Sequence, residues 1–218
     1  STFVPIDGGP ADAGVVSDGG ATRDAGEATR DGGEPVTLVD VSHERELRGV
    51  WVATVANINF PSRTGLDAEA LRGELAAIVD TAAATHLNAI FFQVRPESDA
   101  LYASTLEPWS RFLTGTQGQD PGLDPLAELL ALAHARGIEV HAWLNPYRAK
   151  SSRSSTAVAP HIAVEAPQYA YDYGNLLWMD PGAQTVQARL LAVVEDLVAR
   201  YPLDGLHFDD YFYPYPDG

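Results

Sequence analysis

From Glu46 onward the chain alternates between apolar spacing of period two and spacing near 3.6, which predicts strand, helix, strand, helix. Arg48–Thr54 is a short β-prone run. Asp67 then caps a helix, with Leu66 and Leu71 as a hydrophobic staple and apolar residues at 71, 75, 78, 79 and 82 on one face. Asn88–Arg95 is a second strand, stopped by Pro96. Asp124-Pro125 opens the next helix with proline at its first position, and Leu126, Leu129, Leu130 and Ala133 share a face up to Arg136-Gly137. Ile138–Asn145 is the third strand. Asp180-Pro181 predicts the same cap ahead of Val186, Leu190, Val193, Val194 and Leu197, and Gly205–Asp209 is the fourth strand.

Connections this long join parallel strands, with the helices packed outside the sheet. Within each strand one alternate set is apolar: Ile90, Phe92 and Val94; Ile138, Val140, Ala142 and Leu144; Leu206 and Phe208. The other set carries Gln93 and Arg95; His141, Trp143 and Asn145; His207 and Asp209. A doubly wound sheet, covered on both faces, prefers continuous apolar strands. A face that grows polar toward strand C-termini suits the lumen of a barrel opening into a site. No Gly-x-Gly-x-x-Gly follows the first strand, which weighs against a dinucleotide fold. The fold class expected is therefore α/β, a (β/α)8 TIM-type barrel. Residues 43–218 would form its N-terminal half, the first four βα units. Gly218 follows the fourth strand directly, so a truncated protein with two unpaired sheet edges is expected.

Residues 1–42 have a different character. Asp-Gly-Gly recurs at 7–9, 18–20 and 31–33, Ala-Thr-Arg-Asp recurs at 21–24 and 28–31, and aromatic residues are nearly absent. Such a segment buries too little surface to offset its ordering entropy, and a disordered Gly/Ala/Asp-rich tether is expected. A calcium-binding repeat is the alternative reading of the triplets, but their spacing is irregular.

Composition narrows the function. With 14 basic against 30 acidic residues the formal net charge is −16, which argues against nucleic acid and against anionic membrane surfaces. There is no cysteine, hence no disulfide and no thiol chemistry. No apolar run is long enough to span a bilayer, and Ser1 does not open a signal peptide, so a processed leader or a cytoplasmic location is expected. Tethers of this kind often follow a signal peptide or lipid anchor, which favours export and is compatible with a lipid anchor upstream of residue 1.

Candidate chemistry centres on His207-Phe-Asp209-Asp210-Tyr211, where a barrel strand meets its C-terminal loop. Neighbouring carboxylates beside an imidazole suit acid/base or nucleophilic work on an acetal. Asp209 is the leading catalytic candidate, followed by Asp210 and Glu97; the alternative for Asp209 is a structural pair with Arg95 across the lumen. Gln93, Arg95 and Asp99 are candidates for holding substrate, Arg95 having a buried Arg–carboxylate pair as its structural alternative. His141, Trp143, Asn145 and Tyr147 would shape a subsite with His207 and Tyr211, although a barrel-core Trp143 is an equal reading. His141 and His207 with Asp209 could suggest a metal, but no His-x-His or His-Glu-x-x-His spacing supports one, and no metal or cofactor is expected. The loops bring Trp109, Tyr169, Tyr171, Tyr173, Trp178, Phe212, Tyr213 and Tyr215, rings of the kind that line carbohydrate clefts.

Several of these runs together resemble the bacterial glycosyl hydrolase-like 10 family: Glu46–Thr54 with Asn57–Ser62, Asn88–Tyr102, Glu107–Ser110 with Leu113–Gly115, His141–Ala149 and Asp204–Pro216. The resemblance covers roughly residues 44–218. It implies an envelope-associated, exported barrel glycosidase, periplasmic or a lipoprotein, that cuts glycan strands of peptidoglycan without a cofactor. A carbohydrate-binding barrel without activity, or an inactive fragment, is the alternative. The second catalytic carboxylate is expected beyond residue 218, and its separation from Asp209 would set retention or inversion.

Overall fold

The computed structural model describes residues 46–215 together with two short strands, Ala28–Thr29 and Pro35–Val36, paired antiparallel. The expected tether otherwise lies outside the described residues, as do its Asp-Gly-Gly triplets. The chain divides into two units at Arg45/Glu46, and the second unit carries the features described below.

Four strands, β1 (Gly49–Val52), β2 (Ala89–Arg95), β3 (Glu139–Leu144) and β7 (Gly205–Phe208), form one sheet in the order β1-β2-β3-β7 with every neighbour parallel. Three long helices make the crossovers: α1 (Ala68–Ala84), α3 (Pro125–His134) and α5 (Gln184–Arg200). A one-turn helix α2 (Arg111–Thr114) precedes α3. The expected caps form at the first two. Asp67 accepts from the Ala70 N–H at 2.8 Å and Asp124 from the Ala127 N–H at 3.0 Å, with Pro125 at the first helical position.

The third cap is a correction. α5 starts at Gln184, with Ala183 as its N-cap and no side-chain bond there. Asp180 instead turns back onto the Gly182 N–H at 2.8 Å, and its carbonyl accepts from the Ala183 N–H at 3.2 Å. The Asp-Pro-Gly sequence closes a local turn before the helix can begin.

Ile90, Phe92, Val94, Val140, Ala142 and Leu144 are fully buried. They share one core with Leu71, Leu75 and Val79 of α1, with Leu126, Leu129 and Ala133 of α3, and with Val193 and Leu197 of α5. All three long helices therefore cover one face of the sheet. Across the other face run Trp51, Phe91 and His141 in register with Gly205, then Gln93 and Trp143 in register with His207. Gly205 is required there: a Cβ would run into the His141 ring, just as one at Gly49 would run into Phe91. A fourth complete βα unit is not seen, since no helix follows β7 among the described residues. What they hold is three units and a fourth strand.

The connection after β3, read from the sequence only as an aromatic-rich loop, contains an antiparallel three-stranded sheet in the order β4-β6-β5: β4 (Arg148–Lys150), β5 (Ala170–Tyr173) and β6 (Leu176–Met179). A short helix α4 (Ile162–Glu165) lies within it, and Ile162, Ala166, Met179 and Val186 form a second small core beneath.

Candidate active site

Asp209 follows the last residue of β7, at the C-terminal end of the parallel sheet. Its Oδ2 accepts from Trp143 Nε1 at 3.0 Å and from Asn145 Nδ2 at 2.8 Å, and its Oδ1 accepts from the Tyr211 backbone N–H at 3.1 Å. A carboxylate has about four acceptor positions. Three are filled, and the open one lies on Oδ1. Trp143 and Asn145 come from the neighbouring strand and its end, so parallel pairing of β3 with β7 brings the three together.

The orientation of Asn145 follows from a chain of donors. Gln93 Oε1 accepts from the backbone N–H groups of Thr54 at 2.7 Å and Val55 at 2.9 Å, which commits its NH2 to the Asn145 carbonyl oxygen. Arg148 Nη2 donates to that same oxygen at 2.9 Å. The Asn145 NH2 must then face Asp209. Every donor in this series points the same way, and such chains polarise one another.

Arg148 was singled out for no role in the sequence. It is nine-tenths buried, donates through Nε to the Pro96 carbonyl at 3.0 Å, and lies 5.5 Å from the centre of the Tyr211 ring. Burial lowers its pKa, while Glu97, Asp209, Tyr211 and Asp99 pull it back up. Its position directly after the Asn145-Pro-Tyr147 segment was the only available signal.

His207 lies among Trp51, Phe91 and Trp143, with Trp51 Nε1 donating to its Nε2 at 3.1 Å. That bond leaves the proton of the neutral ring on Nδ1. Burial lowers its pKa, opposed by Asp209 and reinforced by His141. His141 is buried and bonded to Glu139 at 3.1 Å. Tyr211 meets Trp178 edge-on at 5.0 Å and Tyr215 at 5.2 Å, while Tyr147 lies 6.4 Å from Phe212. Asp210 is exposed at the rim.

The remaining candidates sit apart from this opening. The ladder between β2 and β3 shifts register between Gln93 and Arg95, which breaks strict alternation. Arg95 is consequently enclosed: it donates to both oxygens of Glu107, with Nε–Oε2 at 2.8 Å, and to the carbonyls of Asn145 and Pro146. It neither pairs with Asp209 nor opens to a ligand, so the buried ion pair is its actual arrangement. Glu97 is buried too, held by Arg111 at 3.0 Å and by the Ser151 N–H. Asp99 accepts from the Glu97 N–H at 3.0 Å and from Gln117 at 3.2 Å. Burial pushes its pKa up to about 7, and the nearby Glu97 charge adds to the shift. Gln93 is also buried and acts on Asp209 only through Asn145. Among the described residues no group of three or more His, Asp or Glu side chains could hold a metal ion, and no helix is long and apolar enough to cross a membrane.

Comparison with known proteins follows the same boundaries. The sequence profile described as glycosyl hydrolase-like 10 matches residues 46–218. The glycosyl hydrolase YngK of Bacillus subtilis (strain 168) is 39% identical over 180 residues, covering 82% of this chain and 35% of that protein. The glycosyl hydrolase DigH of Escherichia coli (strain K12) is 36% identical over 188 residues, covering 77% of this chain and 42% of the relative. The chain thus spans well under half the length of either. Among solved structures, α-L-fucosidase isoenzyme 2 from Paenibacillus thiaminolyticus shares the fold at a TM-score of 0.50 and 14% identity, over 76% of this chain and 23% of that one.

Proposed function

Since the chain belongs to the glycosyl hydrolase-like 10 family, we propose that it is part of a glycoside hydrolase whose reacting carboxylate is Asp209. The observation that carries the proposal is the partial saturation of that side chain. Trp143, Asn145 and the Tyr211 N–H hold it in one orientation, and a single acceptor position on Oδ1 stays open. An oriented carboxylate with one free lone pair can attack an anomeric carbon or take a proton from water. The aromatic rings around it supply flat apolar faces for sugar C–H groups.

The sheet is proposed to be an arc of a closed (β/α)8 barrel. All three long helices on one face and a site at the strand C-termini both suit that architecture. A glycosidase also needs an acid to protonate the leaving oxygen. Glu97 is buried in its pair with Arg111, which leaves exposed Asp210, or a carboxylate outside residues 46–215, for that step. The resemblance of the motifs extends the proposal to peptidoglycan glycan strands as substrate and to an exported, envelope-associated protein.

In the full-length protein, Asp209→Asn should lower turnover of peptide-free glycan strands by about a thousandfold or more while leaving glycan binding in place. Undiminished turnover would overturn the assignment, and glycan binding without turnover in the wild type would replace it with a binding barrel.

A further inference from the structure

The antiparallel hairpin of β5 and β6 holds a second opening next to the Asp209 site. Its register sets Tyr171 directly opposite Trp178 and Tyr173 opposite Leu176, so the Tyr171, Tyr173 and Trp178 rings stand on one face. That face lines a cavity of about 280 Å³ with Asp172, Asp180 and Pro214 at its borders. Trp178 is buried and fixed, meeting Tyr211 edge-on at 5.0 Å and donating to the Phe212 carbonyl at 3.2 Å. Tyr171 is 57% exposed. The cavity is thus tied through Trp178 to the segment that carries Asp209.

Its chemistry selects a ligand. Ring faces favour the C–H surface of a pyranose, and carboxylates at the border accept hydroxyl hydrogens. Asp172 accepts from Arg153 at 2.7 Å and Asp180 from the Gly182 N–H at 2.8 Å, and each keeps further acceptor positions. The residues lining the cavity include two carboxylates and no lysine or arginine, and Arg153 offsets only Asp172, so a phosphorylated or carboxylate-bearing sugar would meet net negative charge. The volume lies near the lower limit of about 300 Å³ for ligand pockets, suited to one ring rather than two. We propose that this cavity is a subsite for a single neutral sugar ring of a glycan chain whose cleaved bond lies at Asp209. This rests on the glycosidase reading above and deepens it: the substrate would be an extended chain, gripped at a neutral residue away from the scissile bond.

The test uses the full-length Asp209→Asn protein titrated calorimetrically with β-1,4-linked N-acetylglucosamine oligomers of two and six units. Adding Tyr171→Ala should weaken hexamer binding about tenfold and leave dimer binding unchanged, while Tyr171→Phe, which keeps the ring, should restore the hexamer. An unchanged hexamer affinity, an equal loss for dimer and hexamer, or no binding of either oligomer would overturn the subsite. Those outcomes are independent of the catalytic assignment, which falls if Asp209→Asn still turns glycan over or if the wild type binds glycan without turning it over.

Discussion

Asn145 donates its amide to Asp209 Oδ2 at 2.8 Å and has no alternative orientation, because its own oxygen is claimed by Gln93 and Arg148. Three strands contribute to this arrangement: β2 supplies Gln93, β3 leads into Asn145, and β7 ends just before Asp209. The carboxylate is therefore aimed from the opposite edge of the sheet, starting at two backbone N–H groups after β1.

Substituting Asn145→Asp would replace that donor with a second carboxylate. Like charges at this distance favour protonation, so the acid limb of the kcat/KM profile should move to higher pH by about one unit or more. We expect kcat to fall about tenfold or further, with KM much less affected. A pH–rate profile of the full-length variant beside the wild type checks both; an unmoved acid limb would show that Asn145 does not act on Asp209.

The buried Arg95–Glu107 pair makes a stability prediction. Glu107→Gln leaves the guanidinium in the interior without its counter-charge, which costs about 3–5 kcal/mol. The exposed Arg153–Asp172 pair should matter far less, about 0.5 kcal/mol for Arg153→Ala. Chemical denaturation of the two variants should separate them clearly.

Asp99 gives stability a pH dependence. Its pKa in the folded protein is raised to about 7 by burial and by Glu97. The folded state therefore holds the proton more tightly than the unfolded chain does, and the contribution is fully present below about pH 4. It is lost as pH rises toward 7, by at most about 1.4 kcal/mol per pH unit. Asp99→Asn cannot lose that proton, so relative to the wild type it should gain stability between pH 4 and pH 7. Denaturation midpoints that run parallel across that range would contradict the assignment.

Two glycines should respond in opposite ways to the same substitution. Gly205→Ala drives a methyl into the His141 ring and should cost about 1–3 kcal/mol. Gly73 lies exposed within α1 with nothing within 4 Å of a built Cβ, so Gly73→Ala should stabilise by about 0.5–1 kcal/mol. Thermal melts of the two single variants decide it.

The four parallel strands and the caps at Asp67 and Asp124 were legible because each depends on local spacing. The alternation that put His207 and Asp209 on the face opposite Leu206 and Phe208 likewise needs only period two. Arg95 escaped that logic, since one shift of register and Glu107, twelve residues away, decide its surroundings. The β5–β6 hairpin had a signal that went unread: Tyr-Asp-Tyr and Leu-Leu-Trp-Met flank Gly174-Asn175, and Gly174 takes a φ of +54°. Arg148 had only its place after Asn145-Pro-Tyr147, because its importance comes from where Asn145, Tyr211 and Pro96 meet in space.

The contact between Gly205 and His141 also constrains the order in which this sequence can change. While an imidazole occupies position 141, position 205 tolerates only hydrogen, and a larger residue there is selected against whatever its own merits. Shrinking position 141 first removes the obstacle, so two changes that are harmful in one order become accessible in the other. Positions 141 and 205, 64 residues apart, should thus evolve as one unit, and variation in the fourth strand will be gated by what happens in the third.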